Sequence, residues 1–363
     1  MNAGKEAPLL CYDLHVILTY RYRIKETGGV LNALEAMARA CNFVWNFCGE
    51  TQEAARKWGK RWPGGYDFDA LTKGTSKDLG LHSDTITAIC KQFAISRDAH
   101  KRRPRWRGRK SLGWIPFQAA RAIRMEGDAV VFLKRRYRLW LHRPIDGQIK
   151  SGAFAQDARG RWYLNLAVEV AEDQVCGTGE VGIDLGLKTL AALSTGEKIE
   201  NPRHLAKHAA KLATAQRAGR RARARAIHAK IANARKHFLH EQSARLAREN
   251  RRIIVGNVNA AGLARTRMAK SVLDASWSQF RSQLRYKAMR HGAEYIEADE
   301  RFTTQVCSGC GAVSGPKGIA HLGVREWSCI ECGVQHDRDI NSAINILVSG
   351  RNAGLRLTES SVL

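Results

Sequence analysis

Two C-x2-C pairs, Cys307-Ser-Gly-Cys310 and Cys329-Ile-Glu-Cys332, stand 18 residues apart. Four thiolates at that spacing fill a tetrahedral site and leave no open position, the donor set of a structural zinc ribbon. Gly311 and Gly333 follow the second Cys of each pair and permit the knuckle backbone that aims amides at sulfur. His321 and His336 lie close by in sequence and are expected to be bystanders, since the cysteines already complete the site. A second set of residues is acidic. Asp184 interrupts the apolar run Val181-Gly-Ile-Asp-Leu-Gly-Leu187. A carboxylate there costs several kcal/mol, on the order of 1–7, unless it meets a cation, donors or a metal shared with another acid. Asp337-Arg-Asp339-Ile-Asn341 opens the last apolar-periodic segment, and one of its two acids is expected to cap a helix. Acids from distant segments on a basic chain suggest a divalent-metal phosphodiesterase. Such a site uses three or four carboxylates to hold two Mg²⁺ ions about 4 Å apart.

The charge balance supports a polyanionic partner. Across 363 residues, 60 Lys and Arg face 34 Asp and Glu, a formal net charge of +26. The segment Lys101-Arg-Arg-Pro-Arg-Trp-Arg-Gly-Arg-Lys110 holds Lys101, Arg102, Arg103, Arg105 and Arg107 around Trp106. Phosphate contacts by the cations and stacking by the ring fit an unpaired nucleic-acid strand. The stretch 217–236, with Arg217, Arg221 and Arg225 among its cations, is charged nearly all round and is expected to border nucleic acid as well. Trp45, Trp58, Trp114, Trp140 and Trp277 sit among apolar neighbours and read as core. There is no run of about 18 apolar residues and no signal-peptide layout at the N-terminus, so no membrane association and an intracellular site are expected. Nine cysteines, an odd number, fit a reducing compartment, with Cys11, Cys41, Cys48, Cys90 and Cys176 as buried free thiols.

These residues need a frame. Residues 10–23 alternate like a strand, and residues 31–101 carry three- and four-residue apolar spacing, broken by the turn-rich WPGGYDFDAL and resumed at Ser83, a plausible N-cap. Strand signals return from Trp114 to Val170 as a small antiparallel barrel that the first strand would complete. Residues 179–198 read as strand, Gly turn and strand. Residues 203–250 read as an Ala/Arg/Lys-rich helical hairpin. A strand at 251–259, a helix at 276–292, a strand at 293–299 and a final helix ending at Gly350 follow.

Taken together, GIDLGLKTLAALSTG, KIANARKHFLHEQSARL, MAKSVLDASWSQFRSQLRYKA, FTTQVCSGCG and HDRDINSAINIL resemble the transposon-encoded TnpB (OrfB) family, relatives of compact type V CRISPR effectors. The likeness covers about 176–350 in sequence and residues 1–175 in architecture. It implies an α/β multidomain fold: an RNase H-like RuvC domain with a helical lid and a zinc ribbon, after a small β-barrel wedge domain with a helical recognition insert. The implied boundaries are wedge 1–30 and 113–175, recognition insert 31–112, RuvC 176–302 with its helical insert at 203–250, ribbon 303–333, RuvC helix 334–350 and a flexible tail 351–363. The implied activity is Mg²⁺-dependent cleavage of double-stranded DNA beside a short flanking motif, directed by a guide RNA from the transposon end, in the prokaryotic cytoplasm at the nucleoid. Base pairing would then read the sequence while the protein reads only the flanking motif.

Carried onto this chain, the first RuvC acid falls on Asp184 and the third on Asp339, with Asp337 as its neighbour or cap. The second motif departs from the family pattern. Where most relatives have Glu, this chain has Gly256, and no acid occurs between Glu249 and Asp274. Glu300, in Asp299-Glu300-Arg-Phe-Thr-Thr-Gln305, is the candidate replacement, as in family members with Gly-x-Val in this motif and a relocated Glu. Neighbouring strands lie about 4.8 Å apart, within a Glu side chain's reach. Glu297 and Asp299 are reserves on the opposite strand face. Asp184, Glu300 and Asp339 are thus the expected Mg²⁺ ligands. The alternatives are a guided DNA binder that does not cut, which has no demand for Asp184 or Asp339, and a guide-independent accessory to transposition.

Overall fold

The structure, a computed structural model, describes residues 15–171, 177–258, 260–263, 265, 269–317, 321 and 323–359. Cys11 and Cys176 lie outside them. Contacts divide the chain into two compact units that part after Ala171. Among the described residues, no helix is long and apolar enough to cross a membrane.

The first unit runs β1 (His15–Ile24), α1 (Gly28–Lys57), α2 (Gly65–Leu71), α3 (Ser76–Leu79), α4 (Ser83–His100), β2 (Trp114–Phe117), β3 (Arg124–Glu126), β4 (Ala129–Phe132), β5 (Arg135–Trp140), β6 (Gln148–Gln156) and β7 (Trp162–Ala171). The strands form one seven-stranded sheet ordered β2-β6-β7-β1-β5-β4-β3, so the N-terminal strand is interior, as the alternation of residues 15–24 requires. Phe117 of β2 lies 6.3 Å from Phe132 of β4 although their strands are near opposite ends of that order. Phe154 of β6 is 5.2 Å from the same ring. The sheet therefore curls around an aromatic core, the expected barrel.

Several local expectations change. Residues 28–57 make one unbroken helix. The turn-rich 62–71 segment folds in its second half into α2, because the Asp67 carboxylate accepts from the Gly64 amide at 2.7 Å and Phe68 is buried against Phe93. The cap of α4 is His82, whose Nδ1 accepts from the Asp84 amide, and Ser83 is its first helical residue. Trp58 and Trp140 are 73% and 59% exposed, so neither is core: Trp58 stands at the end of α1 and Lys25 lies over the Trp140 ring at 5.1 Å. Cys41, Cys48 and Cys90 are buried free thiols, as expected.

The second unit runs β8 (Gly179–Leu185), β9 (Thr189–Leu193), β10 (Lys198–Glu200), α5 (His204–Arg217), α6 (Arg221–Glu249), β11 (Asn250–Gly256), α7 (Ala260–Leu263), α8 (Ala269–Ala275), α9 (Trp277–Arg290), β12 (Glu294–Ala298), β13 (Glu326–Ser328), β14 (Gln335–Asp337) and α10 (Arg338–Glu359). Its five-stranded sheet is ordered β10-β9-β8-β11-β12. β8, β11 and β12 are parallel, while β9 and β10 are antiparallel additions, an RNase H-like arrangement. One sheet face carries the larger core, including Ile183, Ile253 and Val255 of the sheet with Leu246 of α6 and Phe280 and Leu284 of α9. The other face is covered by α10, where Ile254, Ala298 and Ile346 meet. The ribbon hairpin β13–β14 leads directly into α10, so the ribbon extends past residue 333 to Asp337.

Two glycines allow α10 to lie so close. A Cβ on Gly182 would stand 2.1 Å from the Ala343 carbonyl oxygen, and one on Gly350 would stand 2.4 Å from Ile254 Cγ2. Gly350 is therefore a packing glycine and not the helix terminator that the sequence suggests. The helix continues to Glu359 and removes residues 351–359 from the expected tail, with the Arg351 guanidinium on Glu180 at 2.6 Å. Replacing Gly182 by Val forces α10 off the sheet. The expected cost is about 3 kcal/mol, read as a lower urea midpoint, and an unchanged midpoint would show that the helix does not need this approach.

Candidate active site

Side chains two apart on a strand share a face, so Asp184 points from β8 to the same side as Gly182, under α10. Asp339 lies in the first turn of α10, and Ser342, one turn on, places its hydroxyl between elements. Ser342 hydrogen-bonds the Asp184 carboxyl and lies 2.8 Å from the Thr303 hydroxyl. Burial, then the negative charges of Asp339 and Glu300, push Asp184 up to about 7. The Ser342 hydrogen bond and the Arg338 charge oppose that rise without cancelling it. The three sequence-predicted acids thus belong to one electrostatic cluster.

Glu300 follows the end of β12. A Cβ on Gly256, at the end of the adjacent β11, would lie 3.1 Å from Glu300 Oε2 and 3.5 Å from its Cβ. The carboxylate of residue 300 therefore occupies space beside position 256 that a side chain there would enter. Its backbone is held on both sides: the Glu300 amide donates to Asn257 Oδ1 at 3.4 Å, and the Thr303 hydroxyl donates to the Glu300 carbonyl at 2.8 Å. Burial raises the Glu300 pKa, partly offset by Arg281. The reserve acids are committed elsewhere. Glu297 meets Arg281 and Arg285 of α9, and Asp299 pairs with Arg301. Asp337 caps α10 by accepting from the amides of Asp339 and Ile340, both at 3.0 Å, and pairs with Lys198 at 2.5 Å. Arg325 Nη1 donates to both oxygens of Asp339, at 3.2 and 3.3 Å.

Among the described residues, only Cys307, Cys310, Cys329 and Cys332 bring three or more metal-ligating atoms all within 4.8 Å of one another. The acids are set more widely. The Cys307–Cys332 and Cys310–Cys329 sulfurs lie 3.7 and 3.6 Å apart. A tetrahedron with Zn–S bonds of about 2.3 Å has edges of about 3.8 Å, so the four sulfurs fit zinc. Gly311 and Gly333 have φ of +80° and +72°, the left-handed knuckle turns that their positions imply. His336 stays outside the four-cysteine cluster, as expected, but its Nε2 is 3.0 Å from Cys307 Sγ; a thiolate bound to a metal could only accept, and this nitrogen would then carry the proton. Nothing in the spacing of residue 336 signals that contact, which arises from the β13–β14 register. Asn341 and Asn345 of α10 tie the ribbon down by donating to the carbonyls of Thr303 and Val306.

The expected nucleic-acid residues divide. Lys101, Arg102, Arg103 and Arg105 are exposed, as are Arg217, Arg221 and Arg225, and Trp106 is 55% exposed. Arg107 turns inward instead: Nε donates to Asn42 Oδ1 at 2.6 Å and Nη2 to the Leu112 carbonyl at 2.7 Å. Its guanidinium is used inside the fold. Arg235, also in the basic stretch, pairs with Asp274 at 3.4 Å.

A folded-state pKa raised from 3.8 to about 7 gives stability that is present below the unfolded value and lost as the pH rises through the folded one. In magnesium-free buffer at pH 8, Asp184→Asn should therefore raise the urea midpoint. At pH 4 it should give little gain. A variant no more stable than wild type at pH 8 would show that the cluster carries no such strain.

The family model described as a probable transposase, OrfB_IS605, matches residues 163–267, and the Cas12f1-like TNB domain model matches 277–346. A putative RNA-guided DNA endonuclease of Streptomyces pristinaespiralis is 39% identical over 214 residues, 54% of this chain and 52% of that protein. The chain thus aligns with about half the length of that relative. The putative RNA-guided DNA endonuclease InsQ of Escherichia coli K12 is 24% identical over 91% of this chain and 92% of its own. In solved structures, the Cas12f1 chain of a Cas12f1–sgRNA–target DNA complex shares the fold, with a TM-score of 0.62 at 12% identity, covering 88% of this chain and 83% of that one. The two adjoining family models and these relatives make the chain similar to TnpB-like (OrfB) RNA-guided endonucleases over both of its parts.

Proposed function

We propose that the chain is an RNA-guided DNA endonuclease that hydrolyses phosphodiesters with Asp184, Glu300 and Asp339. The supporting observation is the Glu300 carboxylate standing beside Gly256, in one charge cluster with the other two acids. Hard oxygen donors that repel one another, all of them half-buried, suit Mg²⁺, and their wide spacing suits two ions better than one. Magnesium bound there would supply an activated water and charge neutralisation at the leaving oxygen. The protein's own contribution is placement. Ser342 orients Asp184, Arg325 holds Asp339 and the turn after β12 presents Glu300. Zinc on Cys307, Cys310, Cys329 and Cys332 is structural, because no ligand position is left open.

The partners in this reading are a guide RNA from the transposon end and a double-stranded target. The exposed cations at 101–105 and on α5 and α6 would contact their backbones. A guided binder that does not cut is the second reading, favoured by the glycine at position 256.

Cleavage by the purified ribonucleoprotein separates them. With magnesium and a library of randomised flanking bases, wild type should cut, and Glu300→Ala should lose at least about a hundredfold in rate while still binding target. Adding Gly256→Glu to Glu300→Ala should recover part of the activity, because that Cβ points at the vacated space. Unchanged cutting by Glu300→Ala would remove this residue from the site, and no cutting by wild type would leave the binder. Separately, Cys310→Ser or zinc chelation should unfold the ribbon, seen as faster amide exchange over 306–337, and a ribbon that stays protected would refute the structural role.

A further inference from the structure

We propose that the segment 100–111 forms a pocket for one unpaired ribonucleotide, with the base on Trp106 and its phosphates on Arg102, Arg103 and Arg105. The segment encloses part of a cavity of about 370 Å³, whose walls include those residues, Trp45 and His100 and contain no acid. That volume lies in the range of small-ligand clefts. Arg102, Arg103 and Arg105 form no ion pair among the described residues, and Glu53, itself paired with Arg56, acts on Arg103 only from beyond ion-pair distance. They are therefore available for phosphate.

Arg107 helps to fix the shape of the pocket. Its guanidinium is drawn down to Asn42 and the Leu112 carbonyl, and Asn46 brackets its backbone, accepting from the Arg107 amide at 2.9 Å and donating to its carbonyl at 2.8 Å. Trp45 Nε1 donates to the Arg105 carbonyl at 3.0 Å. Pinned from below at 105 and 107, the loop must leave the ring at 106 outside, where it is preorganised for stacking. The remaining walls favour ribose. The Ser96 and Ser111 side chains line the cavity and can exchange hydrogen bonds with a 2′-hydroxyl, the group that separates RNA from DNA.

This rests on the reading of the chain as RNA-guided, and the test separates the two. In the full-length Glu300→Gln protein, which should not cut, binding of a fluorescein-labelled unstructured RNA of about ten nucleotides is measured beside DNA of the same sequence and an RNA duplex. Trp106→Ala should weaken the single-stranded RNA about tenfold, Trp106→Phe should recover most of that, and duplex binding should stay unchanged. The exposed position makes misfolding no explanation for a loss. The pocket is refuted if Trp106→Ala binds the RNA like its parent, or if single strand and duplex weaken equally. Equal binding and equal sensitivity of the DNA strand would overturn the ribose assignment. A parent protein with no affinity for single-stranded RNA would defeat the guided reading itself, with the pocket.

Discussion

Asp184 lies within the electrostatic reach of two other carboxylates under a helix, and the second unit has to bear that repulsion while it is folded. Asp184 is the member that suffers most, since it is half-buried on a sheet strand and faces the charges of Asp339 and Glu300. Nothing apolar in that neighbourhood compensates a half-buried anion. What holds the acids is geometry fixed from a distance. Gly182 lets α10 approach the sheet, and the residue two places on then falls beneath the helix's first turns. Ser342 reaches across to both Asp184 and Thr303. Arg325 stands at the outer acid, where a positive charge reduces the mutual repulsion. A fold that keeps like charges near one another at a cost is consistent with the proposed metal site.

The pairing of glycine at position 256 with an acid at position 300 is intelligible in the same terms. A side chain on the last residue of β11 and one just past the end of β12 approach the same volume from adjacent parallel strands. Only one of them can be filled. With Glu300 in that space, glycine at 256 is the residue that leaves room, and Ile346 of α10, 3.1 Å from the same Cβ position, tightens the limit. In the proposed reading, such an exchange would keep the place of the carboxylate and change the strand that carries it. It also leaves Glu297 on the other face of β12, bound to Arg281 and Arg285, which explains why proximity in sequence alone does not make an acid available.

Much of this was readable beforehand, and the parts that were not share a cause. The cysteine spacing, the acid in an apolar strand and the Ala/Arg/Lys hairpin are local signals, and local chemistry determines them. Asp337 as the cap, rather than Asp339, follows from two positions at a helix start. By contrast, the inward turn of Arg107, the contact of His336 with Cys307 and the exposure of Trp58 and Trp140 depend on partners many residues away. Composition places an arginine in a basic run among phosphate binders, and only the asparagines of α1 reveal that this one is a strut. Gly350 misled for a related reason: a glycine late in a helix usually ends it, but here the neighbouring Ile254 demands a residue without a side chain.

The turn between β12 and the ribbon shows how these constraints combine. Phe302 is held at φ +62°, a left-handed conformation that costs a residue with a Cβ about 1–2 kcal/mol. It stands between Glu300 and Thr303, so the strain falls where the acid is presented. The turn stays in this form because its next carbonyls are occupied: Asn341 and Asn345 both donate to Thr303 and Val306, and the Asn341 carbonyl oxygen accepts from the Ser308 amide. One face of α10 thus holds the strained turn and the first cysteine knuckle together, while the opening turn of the same helix bears Asp339. The cysteine ribbon and the acid cluster are therefore mechanically joined through a single helix. Cys307 follows Thr303 by four residues, so the first knuckle and the turn that fixes Glu300 lean on the same asparagines, Asn341 and Asn345.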